Sequence, residues 1–90
     1  MKNYLDVFWS DIIRRAFDNG YLSSIGKGLA EKMRLIRAKD SEEYTVLVDS
    51  ENVHPDFYIF EVEKYGPALL RSAAEISGGN VEMTFVLGRL

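Results

Sequence analysis

The stretch MRLIRAKDSEEYTVLV, residues 33–48, decides how this chain folds. Met33 to Ala38 and Tyr44 to Val48 are short β-prone runs, and the polar segment from Lys39 to Glu43 between them reads as the turn of a hairpin. Tyr44, Val46 and Val48 fall on one face of the second strand, so that face must be covered. Upstream, Leu5, Phe8, Trp9, Ile12, Ile13 and Ala16 recur at i, i+3, i+4 spacing, the stripe of an amphipathic helix. Asn3 suits its N-cap with Asp6 three positions on, Arg14 and Arg15 suit its C-terminal dipole, and Asn19-Gly20 supplies a stop. A second, shorter helix is expected from about Leu22 or Ser24 to Lys32, although Gly26 and Gly28 each cost about 1 kcal/mol relative to alanine in a helix interior.

Downstream of the hairpin, Pro55 suits the first turn of a helix that carries the apolar run Phe57 to Phe60. Gly66-Pro67 breaks the pattern, because proline lacks the donor that an interior position needs, and Leu69, Leu70, Ala73, Ala74 and Ile76 resume it up to Gly78-Gly79. A helix kinked or split at Pro67 is the expectation. Val81, Met83, Phe85 and Leu87 then alternate with polar Glu82 and Thr84, as in a strand with one buried face. The predicted order is ααββααβ, an α+β domain with a three-stranded sheet packed by helices, its last strand reached by a helical crossover.

Ninety residues support one core and one domain, and the apolar content of 47% argues that a core forms. Eleven basic against fourteen acidic residues, a net charge of −3, make nucleic acid a weak partner. The absence of cysteine removes disulfides, thiolate catalysis and thiolate zinc sites, and fits a reducing compartment such as the cytoplasm. Met1 to Asp6 carry no signal-peptide pattern, and no apolar run reaches membrane-spanning length.

Few residues offer chemistry. His54 with Asp56 could hold a metal or act as a base, but one imidazole without cysteine or a second histidine cannot build a zinc site, and His54 sits at a helix start. Asp49, Glu51, Asp56, Glu61 and Glu63 lack the spacing of a calcium loop and read as a solvated acidic face. Gly26-Lys27-Gly28 lacks the leading glycine and lysine-serine ending of a phosphate loop. Ser23 and Ser24 have no nucleophile elbow. Trp9, on the apolar stripe, reads as a core anchor. Phe57, Tyr58, Ile59 and Phe60 differ, because four consecutive apolar positions cannot all face one core, and one or two of them must point elsewhere. Surplus hydrophobic surface rimmed by Asp56, Glu61 and Glu63 is the pattern of a protein-docking patch, a dimer interface or a surface under a covering loop.

Trp9-Ser-Asp-Ile-Ile13 in the first helix, the hairpin after a second helix, and the closing stretch from Leu69 to Phe85 resemble the N-terminal domain (domain I) of the bacterial replication initiator DnaA. The same KH-like pattern is similar to the C-terminal region of the DNA polymerase III clamp-loader subunit gamma/tau and, more loosely, to the helicase loader DciA. The chain departs from DnaA in lacking the aromatic-x-x-tryptophan and following proline of its second helix. It also has a longer Ser50 to Tyr65 segment and the break at Gly66-Pro67, features that lean toward gamma/tau. No Gly-x-x-Gly tetrad stands between helices, as an RNA-clamping KH domain would need. The resemblance implies a KH-like, non-catalytic interaction domain without cofactor, docking a replicative helicase, a polymerase or a replication regulator. It points to Val53 or Phe57 at the start of the third helix, with Tyr58 and Phe60 beside them, and to Ser24 at the second-helix position, where the family's acidic contact is missing. Two other readings stand beside it: single-strand binding through Arg34, Arg37, Lys39 and Arg71, and a homodimer burying the aromatic patch.

Overall fold

The computed structural model describes residues 3–40 and 42–89; Ser41, in the expected hairpin turn, lies outside them. Helix α1 (Tyr4–Asp18) starts where Asn3 accepts the Asp6 backbone N–H at 2.9 Å, and it buries Trp9, Ile12, Ile13 and Ala16. The chain leaves it through Gly20, whose φ of 77° is a left-handed value that glycine adopts without penalty. Helix α2 (Ser24–Ala30) is capped by Ser23, whose hydroxyl accepts the Gly26 N–H at 3.1 Å. Its C-terminal end is fastened to α1 because the Trp9 indole N–H donates to the Ala30 carbonyl at 3.0 Å.

Strands β1 (Met33–Lys39) and β2 (Glu43–Asp49) form the expected antiparallel hairpin, with Met33 opposite Val48 and a register shift between Leu35 and Arg37. Asp40 takes the left-handed conformation in the turn, one of the few residues besides glycine that do so readily. Helix α3 (Pro55–Ser77) carries the chain back, and β3 (Glu82–Gly88) then pairs parallel to β2 with Phe85 beside Val46. The sheet order is β1-β2-β3, and Tyr44, Val46, Val48, Met33 and Leu35 bury one face against the helices. Tyr44 meets the Phe8 ring edge-on at 5.5 Å between centroids.

The observed order is therefore ααββαβ, an α+β fold, and the expected split of the third helix does not occur. Proline at position 67 removes one backbone bond, but a helix persists through it when both flanks are held by packing. Here Tyr58, Val62 and Tyr65 pack against the core before Pro67, while Leu69, Ser72 and Ala73 are buried after it. Gly66 is itself buried and lies within reach of the Phe85 ring, so the Gly-Pro pair fits a close helix–strand approach rather than a break.

The two glycines of α2 have opposite roles. A Cβ on Gly26 would stand 2.7 Å from both Leu22 Cδ1 and Tyr65 Cδ1, whereas one on Gly28 would meet nothing within 4 Å. Gly26→Ala is expected to destabilise by roughly 1–3 kcal/mol through overpacking between α2 and α3. Gly28→Ala should stabilise by up to about 1 kcal/mol through helix propensity alone. Urea unfolding of both variants checks the pair; equal effects would mean that α2 does not seat on Tyr65.

Glu75 ties the α1–α2 corner to α3. Its carboxylate accepts from Tyr21 Oη at 2.8 Å and Arg15 Nε at 3.1 Å, and Arg71 lies over the Tyr21 ring at 4.0 Å. The Tyr21 hydrogen bond, then Arg15, holds the Glu75 carboxyl below its ordinary value of 4.5, and the same hydrogen bond raises Tyr21 above 10.0. A depressed carboxyl contributes stability that is fully present above its unfolded value and is lost as pH falls through the folded one. A raised phenol contributes below its unfolded value and loses this as pH climbs through the folded one. Glu75→Gln should therefore flatten both the acid and the alkaline limb of the stability profile, measured as urea midpoints between about pH 3 and about pH 11. Parallel wild-type and variant profiles would contradict the coupling.

Candidate protein-docking surface

The first two turns of α3 stand on a firm start. His54 is the N-cap, its Nδ1 accepting the Asp56 N–H at 3.1 Å, and Pro55 follows as the first helical residue. His54 thus stands at a helix start, as expected, and the structure adds its role as the cap; its 3.6 Å approach to the Asp56 carboxylate is an exposed pair. From this start the four aromatic and aliphatic residues diverge around the helix. Phe57, Ile59 and Phe60 are 60%, 64% and 62% exposed. Tyr58 alone turns inward, packing against the core and donating its hydroxyl to the Phe85 carbonyl, and burial pushes its phenol pKa up.

Val53 is corrected by the structure. At 4% exposure it belongs to the core, drawn in because its backbone N–H closes the loop onto the Asp49 carbonyl at 3.0 Å. It offers no surface to a partner, and Phe57 is the exposed residue of that pair. Ser24 is exposed at the start of α2, next to Ile25, which is 72% exposed.

A trough adjoins the aromatic turns. Ile59, Glu63, Pro67 and Leu70 follow at i, i+4, i+8 and i+11 along one outer line of α3. Between this line and β3 lies an open depression of about 370 Å³ lined by Val62, Glu63, Gly66, Pro67, Leu70, Met83 and Phe85. The sequence pattern assigned Leu70, Met83 and Phe85 to buried faces, and they are only part-covered because β3 is an edge strand. Their alternation signalled a buried face; that the cover would be incomplete had no sequence signal.

The other candidates do not converge. Arg34, Arg37 and Lys39 lie on β1, with Arg34 3.5 Å from Asp6, whereas Arg71 sits on α3 over Tyr21, so the four do not line one nucleic-acid track. Gly26-Lys27-Gly28 is helical, with Lys27 placed 4.6 Å from the Phe17 ring centre, and forms no phosphate loop. Asp49 is buried and closes its own loop, accepting from the Glu51 N–H at 3.0 Å and from Asn52 Nδ2 at 2.7 Å. Among the described residues no group of three or more histidine, cysteine, aspartate or glutamate side chains is placed to hold a metal ion, and no helix is long and apolar enough to cross a membrane. No protein-family model, curated protein or solved structure matches the chain.

Proposed function

We propose that this chain is a non-catalytic, cytoplasmic protein-interaction domain that docks its partner on the first turns of α3. The observation that carries the reading is the outward projection of Phe57, Ile59 and Phe60 from a helix whose core contacts are already made by Tyr58, Val62 and Tyr65. Each large side chain left in water forgoes roughly 1.5–3 kcal/mol of burial, and several such groups close together mark an interaction site. The sequence resemblance supplies the partner classes: a replicative helicase, a polymerase or a replication regulator of a bacterium. Of the features that leaned the resemblance toward gamma/tau, the interruption at Pro67 no longer counts, since α3 is continuous.

The test is affinity capture with the wild-type chain beside a Phe57→Ser, Phe60→Ser double variant. Both positions are exposed, so the variant should keep its circular dichroism spectrum and its unfolding midpoint within about 1 kcal/mol. Replication proteins retained by the wild type and lost by the variant would support the reading. Equal retention by both would sink the aromatic turns as the docking element.

A further inference from the structure

We infer that the trough between α3 and β3 receives a basic amphipathic helix of a partner protein, its apolar side chains seated against Pro67, Leu70 and Phe85 and a lysine or arginine over Glu63. This rests on the interaction-domain reading and names the chemistry of the partner.

Two modes of binding are open to an exposed edge strand beside an apolar trough: addition of a strand, and docking of a helix through its side chains. The backbone favours the second. Glu82 N–H bonds to the Glu42 carbonyl and the Gly88 carbonyl accepts from Ser50 N–H, so even-numbered residues of β3 direct their polar groups toward β2. Alternation then turns those of Met83, Phe85 and Leu87 to the free edge. The middle carbonyl of that edge, Phe85, is already occupied by the Tyr58 hydroxyl. An edge whose central acceptor is already taken is a poorer template for an added strand, which favours an occupant that binds by side chains. From Ile59 to Leu70 the outer line of α3 runs roughly 17 Å, the length of about three turns of a partner helix.

The charge of the partner follows from the carboxylates. Glu63 is the one charged residue lining the trough, and among the described residues no basic group lies within ion-pair distance of Glu61, Glu63 or Glu82. Lys64, the cation nearest in sequence, is turned to the other flank, 5.9 Å and 5.4 Å from the Phe60 and Tyr65 ring centres. A second copy is a poor occupant, because a two-fold interface sets the same patch against itself and the lining of this patch carries no lysine or arginine to meet Glu63. A cationic apolar helix supplies one.

The probe is an 18-residue leucine–lysine peptide with leucines at helical spacing, beside its leucine–glutamate counterpart, each titrated into the isotopically labelled chain while amide shifts are followed at about 0.15 M salt. The expected result is saturable shifts at Val62, Gly66, Leu70, Met83 and Phe85 with the cationic peptide only. Glu63→Lys and Leu70→Asp should each weaken binding at least about tenfold while leaving the other amides in place. Equal binding of both peptides, shifts confined to the Glu42, Glu43 and Glu82 end, no binding, or a concentration-dependent doubling of mass that the peptide does not compete would each overturn the inference. Capture dependent on Phe57 and Phe60 together with any of these outcomes would leave the interaction-domain reading standing and remove only the basic helix.

Discussion

A Trp9→Ala variant is expected to lose about 3–5 kcal/mol of unfolding free energy, the range for removing a large aromatic side chain from a core. Trp9 is 5% exposed and lies between Leu5 and Ile13 on the stripe of α1 that faces the rest of the molecule. Two losses combine. The indole leaves a cavity that α1 cannot close, because Ile12, Ile13 and Ala16 hold the helix at its present distance. The Ala30 carbonyl also loses its donor at the end of α2, worth about 1 kcal/mol. A domain of this length has roughly 5–13 kcal/mol in total, so the loss takes at least about a fifth of it and, at the low end of that range, nearly all. Urea unfolding followed by circular dichroism measures the loss, since the variant has no tryptophan to report by fluorescence. Trp9→Phe separates the terms by keeping most of the volume and deleting the donor. A loss under about 1.5 kcal/mol for Trp9→Ala would mean that α1 and α2 repack freely around the site.

Pro67→Ala is expected to act in the opposite direction, stabilising the chain by about 2 kcal/mol. A proline in a helix interior costs about 3 kcal/mol by removing the bond to the carbonyl four residues earlier, here Glu63, and by pressing its ring on that carbonyl. Against this, alanine frees the unfolded chain and returns about 0.4–1 kcal/mol of the gain. Pro67 is exposed, so little packing is lost with the ring. The urea midpoint should rise at unchanged slope. No gain would show that α3 has relaxed around Pro67 so that no bond is recovered. Because Pro67 lines the trough, the same variant should bind the cationic peptide less well, the pattern of a residue kept for a surface at the expense of stability.

The aromatic turns of α3 were legible in outline before the fold was known. Phe57, Tyr58, Ile59 and Phe60 exceed what one helix stripe can bury, which pointed one or two of them outward, and the structure turns three outward. Which one turns inward was set by the position of β3, whose Phe85 carbonyl holds the Tyr58 hydroxyl. Val53 shows the converse limit. It stands alone in a polar loop, without periodicity to indicate burial, and enters the core because the backbone bonds at Asp49 fold the loop back.

By itself the sequence determined the elements whose signals are local: α1 with its Asn3 cap and Asn19-Gly20 stop, the hairpin, and the apolar alternation of β2 and β3. Cap chemistry, side-chain periodicity and turn residues act over a few positions, so they are written in adjacent letters. Tertiary structure alone decided that α3 runs unbroken through Pro67, that Gly26 is required while Gly28 is not, and that an apolar trough with one carboxylate lies open beside β3. Each of these depends on contacts between residues far apart in the chain, Gly66 with Phe85, Gly26 with Tyr65, Tyr58 with Phe85, and the energy of such contacts overrides the local preferences that a sequence displays.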